Sequence, residues 1–219
     1  LLPGYHVAAN IFPAMKGHSI AITKEIGDKE RPMYSTKSLD GVASELEGLF
    51  NFASRFGFQA FHNDKGAGAS IPNHEHCHFT NWGSLFCKAG NVYGFEAADM
   101  QSTSVPAVKV MPSFPFTHLV FNNRDSERIV HLLSKLEETI GASYDIGTVP
   151  HLLCQGQAGI LLVPVKNPLS KGSIGSGDVA GHIVFKDSAE FENADYDFCV
   201  NKLEKQLFKK DEIKLESLL

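Results

Sequence analysis

The chain predicts an α+β domain, on three observations: strand and helix signatures alternate along it, two amphipathic stretches each close on a glycine, and the order of elements in the first part recurs in the second. The first helix is predicted over 40–56, where Val42, Leu46, Leu49, Phe50, Ala53 and Phe56 recur at three- and four-residue steps. Asp40 caps its start, Gly57 ends it, and its apolar stripe should pack on a sheet. A strand over 58–62, a glycine-rich turn and a histidine strand running to about Trp82 follow. Residues 89–115, with Pro106, Pro112 and Pro115 among small polar residues, form the best connector between two parts. A second helix is predicted over 125–140 from Ile129, Val130, Leu132, Leu133, Leu136 and Ile140, closed by Gly141, and a buried strand over 157–164. The Gly-, Ser- and Lys-rich stretch 167–177 reads as a surface loop. Beyond Glu190, Phe198, Leu203 and Leu207 predict a helical tail suited to docking or to homodimer formation rather than to chemistry.

Composition bounds the function. With 219 residues, 43% of them hydrophobic and 21% charged, the chain can bury a substantial core as one large or two small domains. No apolar run approaches the roughly 20 residues of a membrane span, and Leu1-Leu2-Pro3-Gly4 lacks the layout of a signal peptide. The first residue is not Met, which reads as a trimmed or partial chain. Cys77, Cys87, Cys154 and Cys199 are scattered without a C-x-x-C pair, against a zinc ribbon or disulfide framework, and a reducing, cytoplasmic setting is the default. A formal charge of −5 gives no support for general binding to nucleic acid or anionic membranes, so any affinity for anions must be local.

The chemistry concentrates in Ser70-Ile71-Pro72-Asn73-His74-Glu75-His76-Cys77-His78-Phe79. Side chains of a strand alternate faces, so on a strand His74, His76 and His78 line one face about 7 Å apart, with Glu75, Cys77 and Phe79 on the other. Three readings compete. The plainest is a chance run of exposed histidines. The second is a metal site, because imidazoles at i and i+2 chelate zinc, iron or nickel when a further ligand completes the sphere. Gly68 followed by His74-Glu75-His76 also mimics the opening of the cupin metal motif, yet Thr80 and Asn81 stand where that motif needs a glutamate. The third is a nucleophilic histidine between two helpers, fed by a phosphate-binding turn. The turn favours the third: in Asn63-Asp64-Lys65-Gly66-Ala67-Gly68-Ala69-Ser70 the glycines let backbone amides face an anion, while Lys65 and Ser70 add a charge and a hydroxyl.

Asn63, Gly66, Gly68, Ser70, His74, His76 and His78 together resemble the histidine-triad (HIT-like) superfamily, in the branch of galactose-1-phosphate uridylyltransferase, the diadenosine tetraphosphate phosphorylases and the GDP-hexose phosphorylases. The likeness to GDP-L-galactose and GDP-D-glucose phosphorylases extends to Val7-Ala8-Ala9-Asn10-Ile11-Phe12-Pro13, to Gly17-His18 with Ile20-Ala21-Ile22, and to Phe114-Pro115-Phe116-Thr117-His118-Leu119-Val120-Phe121. It continues through Gly159-Ile160-Leu161-Leu162-Val163-Pro164 and Gly181-His182-Ile183-Val184-Phe185-Lys186. The resemblance implies an antiparallel HIT-like sheet with packed helices in two related halves: 1–100 with the histidine triad, and 101–219 with the helical tail. It implies His76 as nucleophile on the α-phosphorus of a nucleoside diphosphate sugar, with His74 and His78 as helpers. Asn63, Lys65, Gly66, Gly68 and Ser70 would bind substrate, and inorganic phosphate would be the co-substrate. No cofactor is required for that chemistry, and a structural metal has no obvious ligand set beyond the triad. The second class is a histidine-triad hydrolase of dinucleotides or nucleoside phosphoramidates, with a dinucleotide as the alternative substrate. His78 stands where the transferases carry Gln, a mark of the hydrolase branch, which leaves water and phosphate both open as acceptor; one extra residue separates Ser70 from His74, and Glu75 replaces an apolar residue. A non-catalytic nucleotide- or metal-binding module is the third class. His18 and His182 are read as structural, His151 as a half-buried histidine where the resemblance places an Asn, and Trp82 and Tyr93 as core rather than base-stacking aromatics.

Overall fold

The computed structural model describes residues 4–11, 13, 17–23, 47–49, 51–53, 55–63, 76–80, 101–104, 108–112, 114–121, 126–140, 143–149, 159–166, 175–179, 183, 185, 187–210 and 212–213. The described strands are β1 (Tyr5–Ala9), β2 (Ser19–Thr23), β3 (Gln59–Asn63), β4 (His76–Thr80), β5 (Gln101–Ser102), β6 (Val108–Val110), β7 (Leu119–Phe121), β8 (Ser143–Val149) and β9 (Gly159–Val165). They form one sheet in the order β1-β2-β4-β3-β8-β9-β7-β6-β5, antiparallel at every pairing. The fold is therefore α+β with an antiparallel sheet, as the sequence predicts. β1-β2-β4-β3 read from one edge and β6-β7-β9-β8 read from the other follow the same order, and β3 meets β8 between them. The expected division at residue 100 lies outside the described residues.

One face of the first strand set is a hydrophobic core. Tyr5, Ala21, Ala60, Cys77 and Phe79 pack from β1 to β4 against Leu49 and Ala53, with Phe52 and Phe58 alongside. Residues 47–49, 51–53 and 55–56 are helical, so the apolar stripe does meet the sheet; the predicted start over 40–46 lies outside the described residues. The end of this helix follows from Gly57. Its positive φ of 65° is open to glycine at little cost, and it turns the chain so that the Phe58 amide donates to the Ala53 carbonyl at 2.9 Å. Phe52 and Phe58 stack at 6.1 Å across that turn, the apolar contact that accompanies such a cap.

In the second set the helix α1 (Ser126–Ile140) falls where periodicity places it and buries Ile129, Val130 and Leu132. Two elements depart from expectation. The 89–115 stretch is more than a connector, since β5 and β6 pair within it and the Thr103 amide closes the hairpin on Val108 O at 3.1 Å. Pro112 and Pro115 sit outside those strands, where no ladder amide is needed. A short helix α2 (Ser176–Val179) likewise occupies the end of the 167–177 loop. The tail is helical as predicted: α3 (Ser188–Glu192) and α4 (Tyr196–Glu204) are capped by Asp187 and Asp195, whose carboxylates accept from Ala189 N at 2.7 Å and Phe198 N at 2.8 Å. Leu203 and Leu207 are fully buried, and Thr117 donates its amide to Phe208 O, so the tail straps the residues leading into β7. Among the described residues no helix is long and apolar enough to cross a membrane.

Candidate active site

β4 separates its side chains as alternation requires. Cys77 and Phe79 enter the core, and Cys77 Sγ donates to Phe61 O at 3.3 Å, so the thiol is a satisfied core group. His76 and His78 share the other face, opposite Ile22 and Ile20 of β2, with Phe61 of β3 opposite His78. Both imidazoles are buried, at 2% and 6% exposure. For His78 that burial favours the neutral form. The His78 ring lies parallel to Phe61 at 4.8 Å and edge-on to His76 at 5.0 Å. Aromatic walls on two sides fix its plane.

The third partner of His78 is His18. Gly17, with φ of 72°, turns the chain into β2, and the Asn10 amide closes the β1–β2 connection on His18 O at 3.0 Å. His18 Nε2 then lies 2.9 Å from His78 Nδ1, and Asn10 Nδ2 approaches the His18 ring at 3.4 Å from Nδ1 and 3.3 Å from Nε2. Burial holds the His18 ring below its usual pKa. Burial, reinforced by His76, His18 and His62, depresses His78 to about 3. Two neutral imidazoles joined by one hydrogen bond must be one donor and one acceptor, which couples their tautomers. A hydrogen bond donated by His18 Nε2–H to His78 Nδ1 leaves the His78 proton on Nε2, and the reverse bond leaves the His18 proton on Nδ1 and His78 Nε2 free to accept, so the two tautomers are set together.

His18, read from the sequence as structural, thus stands beside His78 in the histidine cluster. The Ile20–Ile22 alternation puts His18 on the face of His78 once β2 lies beside β4, a long-range pairing that sequence does not display. Asn63 ends β3 and pairs with Asp145 of β8. His74, Lys65, Gly66, Gly68 and Ser70 lie outside the described residues, as do Glu75, Trp82, Tyr93, His151 and His182. Among the described residues no three His, Cys, Asp or Glu side chains are grouped to hold a metal ion.

Solved structures share this architecture. Yeast Ap4A phosphorylase Apa2 matches with a TM-score of 0.65 and 20% identity, over 96% of this chain and 74% of its own. Its complex with Ap4A gives 0.60 and 19%, over 94% and 74%. A DUF4931 family protein from Bacillus cereus gives 0.51 and 11%, over 90% and 95%. At such identities the likeness is one of fold. No protein-family model matches the chain, and no curated protein matches it by sequence.

Proposed function

We propose that this chain, which has the HIT-like fold shared with the Ap4A phosphorylases, is a nucleotidyltransferase that cleaves a nucleoside diphosphate sugar, GDP-hexose in the first instance, with inorganic phosphate. The observation that carries the reading is the shared face of His76 and His78, with His78 held neutral and hydrogen-bonded to His18. A buried neutral imidazole next to a nucleophile donates a hydrogen bond without adding charge that would lower the nucleophile's basicity.

In this reading His76 attacks the α-phosphorus, forming a P–N bond as the bond to hexose 1-phosphate breaks. An oxygen of inorganic phosphate then displaces His76, which restores the imidazole and releases nucleoside diphosphate. His78 donates Nε2–H toward the phosphoryl group, and His18 acts as a positioning residue by fixing that tautomer. His74, Lys65, Ser70 and the amides near Gly66 and Gly68 balance the phosphate charge. Asn63 contributes an amide to substrate binding. No cofactor enters these steps. Segments 1–100 and 101–219 are read as two halves, of which the first carries the chemistry, in a cytoplasmic enzyme.

His78 also supports a second reading, a histidine-triad hydrolase of dinucleotides or phosphoramidates with water as acceptor. Incubation with GDP-glucose, UDP-glucose and diadenosine tetraphosphate, with and without phosphate, separates the two. Phosphate-dependent GDP release from a GDP-sugar, lost in His76→Ala, is the expected result. Mononucleotide release independent of phosphate would replace it with the hydrolase.

A further inference from the structure

Asp145 is the one acidic residue in the nine described strands, and it occupies the fifth strand of the nine, with β3 on one side and β9 on the other. Aspartate is depleted in strands, so its place on the central strand of this sheet is unusual. Its register points to a use. Asn63 pairs with Asp145, and Asp145 pairs with Val163. Phe61 pairs with His78, and the same register carried two residues on brings Asn63 to the level of His76, which itself pairs with Ile22. One cross-strand row therefore runs His6, Ile22, His76, Asn63, Asp145, Val163, with three adjacent polar positions on β4, β3 and β8. Paired residues share a face, so Asp145 holds a position on the histidine face, two strand spacings or about 10 Å from the His76 backbone.

We propose that Asp145, contributed by the second strand set, is a specificity residue of the His76 site that accepts hydrogen bonds from the vicinal hydroxyls of a sugar in the substrate. This rests on the nucleotidyltransferase reading. A carboxylate repels phosphate oxygens, so its place beside a phosphoryl-transfer centre fits the hydroxyl-bearing end of the ligand instead. Hydrogen bonds from a diol to a charged acceptor give strong discrimination against a ligand that lacks a hydroxyl. The ribose of the nucleotide and the hexose being released present the same chemistry.

The test is a cycle between Asp145→Asn and hydroxyl deletion, using GDP-glucose and UDP-glucose with their 2′-deoxyribose and 2-deoxyglucose forms. Asp145→Asn is expected to raise KM about ten- to a hundred-fold with a smaller change in kcat, and most of that penalty should vanish with one deoxy form. Loss of the penalty with the deoxyribose form identifies the ribose; loss with the deoxyglucose form identifies the hexose. Asp145→Ser is measured beside it, so that a failure of the amide variant to fold leaves a second reading of the same cycle. Penalties that add fully with both deoxy forms, or a fall in kcat at unchanged KM, overturn the role of Asp145 while leaving the enzyme reading intact. A wild-type chain that turns over none of these sugars overturns both.

Discussion

His18 and His118 hold equivalent places in the two strand sets: each immediately precedes the second strand of its set, β2 or β7. Both rings are buried, and burial lowers both pKa values, that of His118 to about 4. Their partners differ. His118 Nδ1 donates to Phe116 O at 2.8 Å, Nε2 accepts from Met111 N at 2.6 Å, and Phe114 packs edge-on at 4.9 Å. The ring is saturated by backbone and works as a clamp on the 111–118 turn. His18 instead meets another imidazole, because β4 brings His78 beside β2, whereas β9 brings Leu161 and Leu162 beside β7. The neighbouring strand, not the residue or its position, decides what a buried histidine meets.

The sharpest break of this comparison is between activity and stability. His76→Ala should lower kcat of the folded fraction by at least about a thousand-fold, in addition to the roughly 2–4 kcal/mol that the cavity left by a buried ring costs in urea. His118→Ala should show the stability cost without the loss of kcat. It leaves a buried amide and carbonyl without their partner and opens a cavity, costing roughly 2–4 kcal/mol in chemical denaturation with kcat of the folded fraction held. A thousand-fold loss of kcat in His118→Ala would erase the distinction. His18→Phe comes next: loss of the bond to His78 should lower kcat about ten- to a hundred-fold and alter the pH profile, a change that a packing role alone would not produce.

Acid should weaken the fold through both regions. A buried histidine with a depressed pKa binds fewer protons than the unfolded chain, so stability is lost as pH falls from about 6.5 toward the folded value. For His118 that window ends near 4 and is worth roughly 3 kcal/mol; for His78 it extends to about 3. Urea titrations at pH 7 and pH 5 check this. His118→Gln should reduce the proton uptake on unfolding by about one, and an unchanged slope would remove His118 from the account. The smallest expected effect is in the tail, where Asp195→Ala should cost about 1 kcal/mol by removing the cap on Phe198 N.

The readable parts of this fold are those governed by local rules. The 126–140 helix follows from its own periodicity, the end at Gly57 from one positive φ, and the split of His76 and His78 from Cys77 and Phe79 from strand alternation. β8 was not legible. Ser143-Tyr144-Asp145-Ile146-Gly147-Thr148-Val149 carries Asp and Gly at its middle, and only pairing with β3 and β9 makes it a strand. β5 and β6 are hidden for a similar reason, as strands of only two and three residues. The same limit concealed His18, whose partner lies 60 residues away and is set by sheet order.

The antiparallel seam between β3 and β8 has a consequence for how the molecule can be divided. Separated, each strand set would end in a raw edge with unpaired amides and carbonyls. The two are therefore one cooperative unit, held by backbone pairing. A polypeptide severed within 81–100 should yield pieces that are insoluble apart and complement each other when co-expressed, as broken halves of one ladder.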